Sequence, residues 1–358
     1  MHHSYRSSQE IRRWLGRVLP EVGNRRLLKF LPWAVLGVVL SGSCHLNRIA
    51  VALPALGGVR CVLQRLSRWL SRPSFNASAL LPRLAGALVA GQCGELIVLC
   101  VDRTEWKHAN LLFAAVAFRG RAIPMAVLRL NGPKATNSRE LRELLALVAQ
   151  GLPAGADVVV AGDREFGNVR AMRTIRSFGW HFCLRLRRHT WVCDAEGDSW
   201  QVRDRYPARG GRARWSGVQV TGQGYGPVQL AIWWHRAERE PWVLVSDLPV
   251  EQLVGVYRRR MAIEEMFSDL KSRGFCLQST RLRDPLRLLN LVGLLSIAYI
   301  WLLLAASAVV RRGWRRLVDR ACKRALSYMR IGAHFLRDGP PDLAIAIAAA
   351  IARGAGQK

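Results

Sequence analysis

The chain has 358 residues, enough for two or three compact units, so it is not a small disulfide-stapled peptide. Its 54 Lys and Arg residues exceed its 25 Asp and Glu residues and give a formal net charge of +29, which indicates a polyanionic partner: nucleic acid first, with an anionic membrane surface or ribosomal RNA as competing explanations. The eight cysteines include no Cys-x-x-Cys pair and the histidines form no cluster at ligand spacing, so neither a zinc site nor a disulfide framework is predicted.

Residues 1–92 are predicted to form a basic helical region. Apolar residues recur at helical spacing in Ile11–Leu19, Val62–Leu70 and Leu80–Val89. The first residues are polar and basic and lead to no cleavage site, so no secretory signal is predicted and we expect a cytoplasmic protein. A basic helical region of this kind suits a DNA-binding domain, and a plain helical cap is the alternative.

Residues 93–186 alternate between predicted strands and helices. The predicted elements, in chain order, are the strand Leu96–Asp102, the hairpin strands Asn110–Phe118 and Ile123–Leu130, the helix Ser138–Gln150, the strand Asp157–Asp163, the helix Asn168–Phe178 and the strand Trp180–Leu186. This order predicts a mixed α/β sheet. Ligands of such sheets bind at the C-terminal ends of strands, where we expect Asp102 and Asp163 to stand.

Residues 187–250 have a different character. Short alternations of polar and apolar residues, rich in Gly and Trp, predict a small antiparallel, strand-rich insertion. The run Trp242–Ser246 is predicted as a closing strand, and a helix is predicted to begin near Glu251.

The helix that follows the insertion, within residues 251–312, carries Tyr257, Arg260, Glu264 and Lys271 at intervals of three, four and seven residues. These intervals keep all four side chains near one face of a helix. A solvated charged face would have the same periodicity, so the spacing alone leaves that alternative open.

A later uncharged run, Leu288–Val310, is long enough to span a bilayer, and a shorter one extends over Phe30–Asn47. Strongly basic flanks on both sides of each run give no positive-inside asymmetry, so we predict a buried core helix and no membrane. Residues 313–358 are predicted to form a helical C-terminal region.

The four residues of the helix match the signature Tyr-x2-Arg-x3-Glu-x6-Lys without a gap, and the chain therefore resembles the DDE transposases of the insertion sequence four type. That family places its first Asp at the end of the first strand and its second Asp after the fourth, an order that Asp102 and Asp163 reproduce. The resemblance covers about residues 90–310. It implies an α/β fold in which a ribonuclease-H-like mixed sheet is interrupted by a strand-rich insertion, with helical N- and C-terminal regions.

The resemblance also implies the chemistry. Asp102, Asp163 and Glu264 would be the catalytic carboxylates and would hold two Mg²⁺ ions, for which Mn²⁺ could substitute. Metal-dependent hydrolysis would free a 3′-hydroxyl, which would then attack DNA in a cut-and-paste reaction. Tyr257, Arg260 and Lys271 would contact DNA phosphates, Arg260 by its fork and Lys271 as a point charge.

Further expectations follow from the same resemblance. The DNA partners would be the terminal inverted repeats and the target DNA, bound by a homodimer on paired ends in the bacterial cytoplasm. Relatives that form a hairpin stack a flipped base on an aromatic residue of the insertion. The candidates, for which packing of a small sheet is the alternative, are Trp191, Trp200, Trp215, Trp233 and Trp234, with Trp233 and Trp234 favoured.

Two questions stay open at the level of sequence. One is whether the chain is an active enzyme or a catalytically inactive, transposase-derived DNA-binding protein; retention of all three carboxylates favours the enzyme. The other concerns neighbouring carboxylates, of which Glu265 is the nearest competitor to Glu264. One helical residue turns a side chain by about 100°, which directs Glu265 away from the Tyr257 face.

Overall fold

The computed structural model describes residues 2–19, 25–73, 75–89, 95–106, 109–132, 135–320 and 325–354. Cys93 and Cys322 lie outside the described residues. The strands are β1 Ile97–Trp106, β2 Ala109–Phe118, β3 Arg121–Arg129, β4 Val158–Gly162, β5 His181–Arg185, β6 Trp191–Cys193, β7 Ser199–Gln201, β8 Arg212–Val220, β9 Tyr225–Trp233 and β10 Trp242–Ser246. The helices are α1 His2–Val18, α2 Arg25–Ser41, α3 Leu46–Val51, α4 Val59–Leu70, α5 Ala77–Val89, α6 Ser138–Ala149, α7 Val169–Arg176, α8 Leu253–Ser268, α9 Pro285–Arg311, α10 Tyr328–Asp338 and α11 Pro341–Ala352.

The strands form one sheet in the order β3-β2-β1-β4-β5-β10-β9-β8-β6-β7. β1, β4 and β5 are parallel neighbours, whereas β2 and β3 extend one side of the sheet and β10 and β9 the other in antiparallel pairing. The predicted mixed α/β sheet is therefore confirmed. The strands predicted as a small insertion join this same sheet, because β9 pairs with β10 and β8 pairs with β9.

Continuous apolar runs explain the centre of the sheet. All five residues of β4 are buried, as are the first nine residues of β2, which is the pattern of strands covered on both faces. α8 contacts all of the strands from β1 to β5 and also β10, while α6 contacts β2 and β3. The β2–β3 hairpin turns at Arg119 and Gly120, whose φ angles of 48° and 73° fit a two-residue hairpin turn.

β1 is longer than predicted. The expectation that it ends at Asp102 is wrong, because the strand continues to Trp106. The reason is its antiparallel partner: β2 pairs with β1 from Leu99 to Trp106, so the polar segment after Asp102 keeps its backbone hydrogen bonds. The parallel partner β4 stops earlier, at Gly162.

The long apolar helix α9 lies in the core. It is long and apolar enough to cross a membrane, but 94% of its most apolar stretch is buried inside the protein. Asp284 caps its N-terminus by accepting a hydrogen bond from the Arg287 backbone amide, and Pro285 occupies its first position. α2, α4 and α5 from the N-terminal region and α10 and α11 from the C-terminal region all contact α9. The prediction of a buried core helix is confirmed.

Candidate active site

Asp102 and Asp163 lie side by side at the point where the parallel pairing of β1 with β4 ends. β1 and β4 are in register with Val101 opposite Gly162, so the next residue of each strand is one of the two aspartates. The chain turns directly after β4, where Asp163 Oδ1 accepts a hydrogen bond of 2.9 Å from the Glu165 backbone amide. The structure thus brings together two carboxylates that are 61 residues apart in the sequence.

Arg260 joins Glu264 to this pair. Its Nη2 donates to Asp102 Oδ2 and its Nη1 donates to Glu264 Oε1, both at 2.8 Å. The side chains of Arg260 and Asp102 are 6% and 13% exposed, whereas that of Glu264 is 47% exposed. One guanidinium therefore bridges a buried carboxylate of the sheet and a solvent-facing carboxylate of α8.

Burial and charge act against each other at this pair. Burial raises the pKa of Asp102 to about 6; Arg260 opposes this shift, while the negative charges of Asp163 and Glu264 add to it. Burial alone would lower the pKa of Arg260, but Asp102, Tyr257 and Glu264 together hold it above its usual value. Since Asp163 and Glu264 both act on Asp102, the three carboxylates share one electrostatic environment.

Tyr257 lies one helical turn before Arg260 and is buried. Its ring packs edge-on against Trp242 at a centroid distance of 5.0 Å, and the Arg260 guanidinium lies 5.7 Å from its centroid. Burial raises the pKa of its hydroxyl, and the guanidinium groups of Arg260 and Arg185 oppose this shift. Tyr257, Arg260 and Glu264 therefore share one face of α8, as the helical spacing predicted, and Arg260 joins that face to Asp102.

Lys271 is placed differently from the other three signature residues. α8 ends at Ser268, and Asp269–Arg273 form a π-helical turn, so the regular helical face does not continue to Lys271. The Lys271 Nζ donates to Thr104 Oγ1 at 2.9 Å and to the Glu105 carbonyl at 3.0 Å. The Lys271 side chain therefore packs against the part of β1 that continues beyond Asp102.

The neighbouring carboxylates have other partners. Glu265 Oε2 lies 3.2 Å from Arg121 Nη2, away from the bridged pair. Glu165 accepts a hydrogen bond of 2.7 Å from the Thr136 backbone amide and lies 3.4 Å from Arg103 Nε. Asp157 precedes β4 and so stands at the opposite end of the strand from Asp163.

A family model described as the transposase DDE domain matches residues 95–301, which is more than half of the chain. This match begins just before β1 and ends within α9, so it includes all three carboxylates. The chain belongs to the DDE transposase family. No curated protein was found to match the chain.

DDE transposases generally use divalent metal ions, and the chemistry of the donor set fits such an ion. Carboxylate oxygens are the ligands that hard cations prefer. Within the part of the chain that the structure describes, no three His, Cys, Asp or Glu side chains converge closely enough to hold a metal as they stand. The guanidinium of Arg260 instead supplies the positive charge between Asp102 and Glu264.

The two tryptophans favoured for base stacking are engaged in packing. Trp233 is 9% exposed, lies edge-on to Trp242 at 5.1 Å, and has the guanidinium of Arg258 5.1 Å from its centroid. Trp234 donates its indole N–H to the Glu238 carbonyl at 3.2 Å. Trp191, another of the candidates, is 49% exposed. A stacked base would require the neighbours of Trp233 to move, whereas the Trp191 ring is already accessible.

Arg185 is a residue of this candidate site that the sequence did not single out. β5 pairs with β4 with Leu184 opposite Gly162, so Arg185 is level with Asp163 at the same edge of the sheet. It lies beside the Tyr257 hydroxyl and opposes the rise of its pKa. The sequence holds only a partial signal, because Arg185 is the last residue but one of the predicted strand Trp180–Leu186, whereas Asp163 is the last residue of its own predicted strand.

Proposed function

We propose that this DDE transposase is an active cut-and-paste enzyme of the insertion sequence four type, in which Asp102, Asp163 and Glu264 are the catalytic, metal-binding carboxylates. The observation that carries the proposal is the register of the sheet: Val101 pairs with Gly162, so two aspartates from separate strands stand together beneath α8. The single guanidinium that bridges Asp102 and Glu264 ties the third carboxylate to them.

The proposed cofactor is Mg²⁺, as two ions, with Mn²⁺ as a substitute. Bound at the carboxylates, the metal would activate the attacking oxygen and stabilise the leaving oxygen of a phosphodiester. Asp102, within β1, and Asp163, directly after β4, would be held in place by the pairing of the two strands, which keeps their separation fixed. The burial of Asp102 excludes water and strengthens its interaction with any cation beside it.

The basic residues of the signature would bind DNA. Arg260 would turn its fork from the carboxylates to a phosphate once the metal supplies the positive charge. Lys271, on the extension of β1, would contact the backbone as a point charge, and Tyr257 would support Arg260 through its ring. This proposal assigns substrate positioning to α8 and metal binding mainly to the sheet.

The strand order β3-β2-β1-β4-β5 supports a ribonuclease-H-like core formed by residues 93–186 and 251–312. Residues 187–250 would be the insertion, and residues 1–92 and 313–358 the helical DNA-binding and C-terminal regions. The partners would be terminal inverted repeats and target DNA, bound by a homodimer on paired ends. We propose a cytoplasmic location.

The test is cleavage of linear DNA that carries the termini of the chain's own element, with products resolved on a denaturing gel. We expect breaks at the element boundary in Mg²⁺ or Mn²⁺ and none in Ca²⁺ or without metal. Slowly migrating hairpin ends would add the intermediate. Binding to these termini without a cut in either Mg²⁺ or Mn²⁺ would contradict the enzymatic proposal.

That outcome would favour the second candidate function, a catalytically inactive DNA-binding protein derived from a transposase. One observation favours it: the Arg260 guanidinium already bridges Asp102 and Glu264 and offsets one of their negative charges, so a metal ion would have to compete with this guanidinium for both carboxylates. If metal cannot displace this guanidinium, the chain would bind DNA but not cleave it.

A further inference from the structure

Two arginines stand beside Asp163 at the carboxyl edge of the sheet. Arg164 follows Asp163 directly, and Arg185 is level with it because Leu184 pairs with Gly162. Neither belongs to the signature formed by Tyr257, Arg260, Glu264 and Lys271. This edge of the sheet therefore carries carboxylates at β1 and directly after β4, and guanidinium groups directly after Asp163 and at the end of β5.

Both guanidinium groups face the same carboxylate, that of Glu240 in the loop between β9 and β10. Arg164 Nη2 donates to Glu240 Oε2, and Arg185 Nη2 lies 4.0 Å from the same oxygen. The side chains of Arg164 and Glu240 are 41% and 55% exposed. Exposed ion pairs contribute little to stability, so an anion from solution can compete with Glu240.

The two arginines have more donors than one carboxylate uses. Arg185 Nη2 donates to the Pro241 carbonyl at 3.1 Å, and its distance of 4.0 Å from Glu240 Oε2 is longer than a hydrogen bond. A guanidinium carries five N–H donors in a planar fork. Two guanidinium groups together therefore offer more donors than one carboxylate can accept, and the oxygens of a phosphate match them better. Glu240 therefore leaves N–H donors of the two arginines unused, and an anion with more acceptor oxygens than Glu240 can engage both arginines at once.

We propose that Arg164 and Arg185 form a binding site for a backbone phosphate of the DNA strand next to the cut, and that Glu240 occupies this site in the free protein as a built-in substitute for the phosphate. The proposal rests on the proposed function, since it takes the polyanion to be DNA. On binding, the phosphate replaces the Glu240 carboxylate, and the β9–β10 loop is released from Arg164.

The test measures the dissociation constant of a fluorescein-labelled, 30-base-pair duplex of random sequence by fluorescence anisotropy, in EDTA and over a range of KCl concentrations. A backbone contact is independent of sequence, so this probe is sufficient. The variants are Glu240→Gln, Arg164→Gln, Arg185→Gln and the double variant Arg164→Gln/Glu240→Gln. Asp157→Asn, at the opposite end of β4, is the matched control because it also removes one negative charge.

We expect Glu240→Gln to bind about two- to fivefold more tightly than the wild type, the size of effect that an exposed ion pair has. Asp157→Asn should change the affinity much less. Arg164→Gln and Arg185→Gln should each weaken binding and reduce the slope of log affinity against log salt by about 0.9. The gain from Glu240→Gln should vanish in the double variant, because the two side chains act as a unit.

An equal gain in Glu240→Gln and Asp157→Asn, or a gain that persists in the double variant, would overturn the proposal, because either result is a general effect of charge. A lower melting temperature of Glu240→Gln without a change in affinity would overturn it as well and would make the ion pair a structural clip. The cleavage assay tests the proposed function separately. If the wild type does not cleave but the variants change DNA binding as expected, only the enzymatic function is contradicted. If the wild type cleaves but the variants do not change DNA binding as expected, only the phosphate site is contradicted.

Discussion

Replacing Arg260 by Met tests how the carboxylates are held together in the metal-free protein. The substitution keeps an unbranched side chain of similar length but removes the guanidinium that bridges Asp102 and Glu264 at 2.8 Å each. Glu264 is half exposed and can be hydrated, so its loss of a partner costs at most about 1 kcal/mol. The main cost falls on Asp102, which is buried.

The size of that cost depends on pH. Asp102 has a pKa of about 6 in the folded protein, above its ordinary value of 3.8, so the protonated form favours folding. The contribution of this carboxyl to the free energy of unfolding is fully present below pH 3.8 and is lost as the pH rises through about 6. Without Arg260, which opposes the upward shift, the loss continues to higher pH.

Above pH 6 Asp102 is ionised in the wild type, and Arg260→Met leaves this buried charge without its partner, which costs about 2–3 kcal/mol at pH 8. At pH 5.5 the wild-type carboxyl is already mostly protonated, so the same variant loses only a few tenths of a kcal/mol from Asp102. The variant should therefore be destabilised by about 2–3 kcal/mol more at pH 8 than at pH 5.5.

The assay is urea unfolding in EDTA, followed by circular dichroism at both pH values. Arg259→Met is the matched control, because Arg259 is the exposed neighbour on the same helix, and it should change the free energy of unfolding by less than about 0.5 kcal/mol. A loss in Arg260→Met that is the same at pH 5.5 and pH 8 would refute the assignment of Arg260 as the counter-charge of Asp102.

Three other predictions concern separate parts of the molecule. The Mg²⁺ affinity measured by calorimetry should fall between pH 8 and pH 5 as Asp102, with its pKa of about 6, takes up a proton; affinity independent of pH would exclude Asp102 as a ligand. Lys271→Ala should weaken DNA binding and reduce the salt slope by about 0.9, whereas an equal loss at every salt concentration would count against a phosphate contact. Gly332→Ala should destabilise by about 1–3 kcal/mol in thermal unfolding because its Cβ would lie 2.1 Å from the Leu302 carbonyl oxygen, whereas Gly16→Ala, with no atom within 4 Å, should not lower the melting temperature.

Local sequence patterns predicted the elements that carry the carboxylates. The apolar runs before Asp102 and Asp163 are strands because buried parallel strands need apolar residues on both faces. The spacing of Tyr257, Arg260 and Glu264 predicted a shared helix face, and in the structure Arg260 joins that face to Asp102. In each case the pattern that predicts the element lies within the sequence of that element and of the turn next to it.

Features that depend on pairing between distant segments could not be predicted. The continuation of β1 beyond Asp102 depends on β2, since the residues after Asp102 lack an apolar pattern of their own. The π-helical turn that displaces Lys271 accompanies Asp269, which is buried and bound to Arg121 and Tyr299 from other elements. The bridge that Arg260 makes to Asp102 is likewise a contact between distant segments. The spacing of residues predicts the helix face on which Arg260 lies, but it does not predict Asp102 on β1 as its partner.

The central claim, that carboxylates at one edge of the sheet catalyse DNA cleavage, is tested most directly by two asparagine variants at the two ends of β4. Asp163→Asn and Asp157→Asn each remove one negative charge. Asp163 directly follows the buried strand β4, and Asp157 directly precedes it. Rates of Mg²⁺-dependent cleavage at the element boundary should fall below detection for Asp163→Asn, with DNA binding retained or strengthened, and stay near the wild-type rate for Asp157→Asn. Cleavage by Asp163→Asn, or an equal loss in both variants, would contradict the claim.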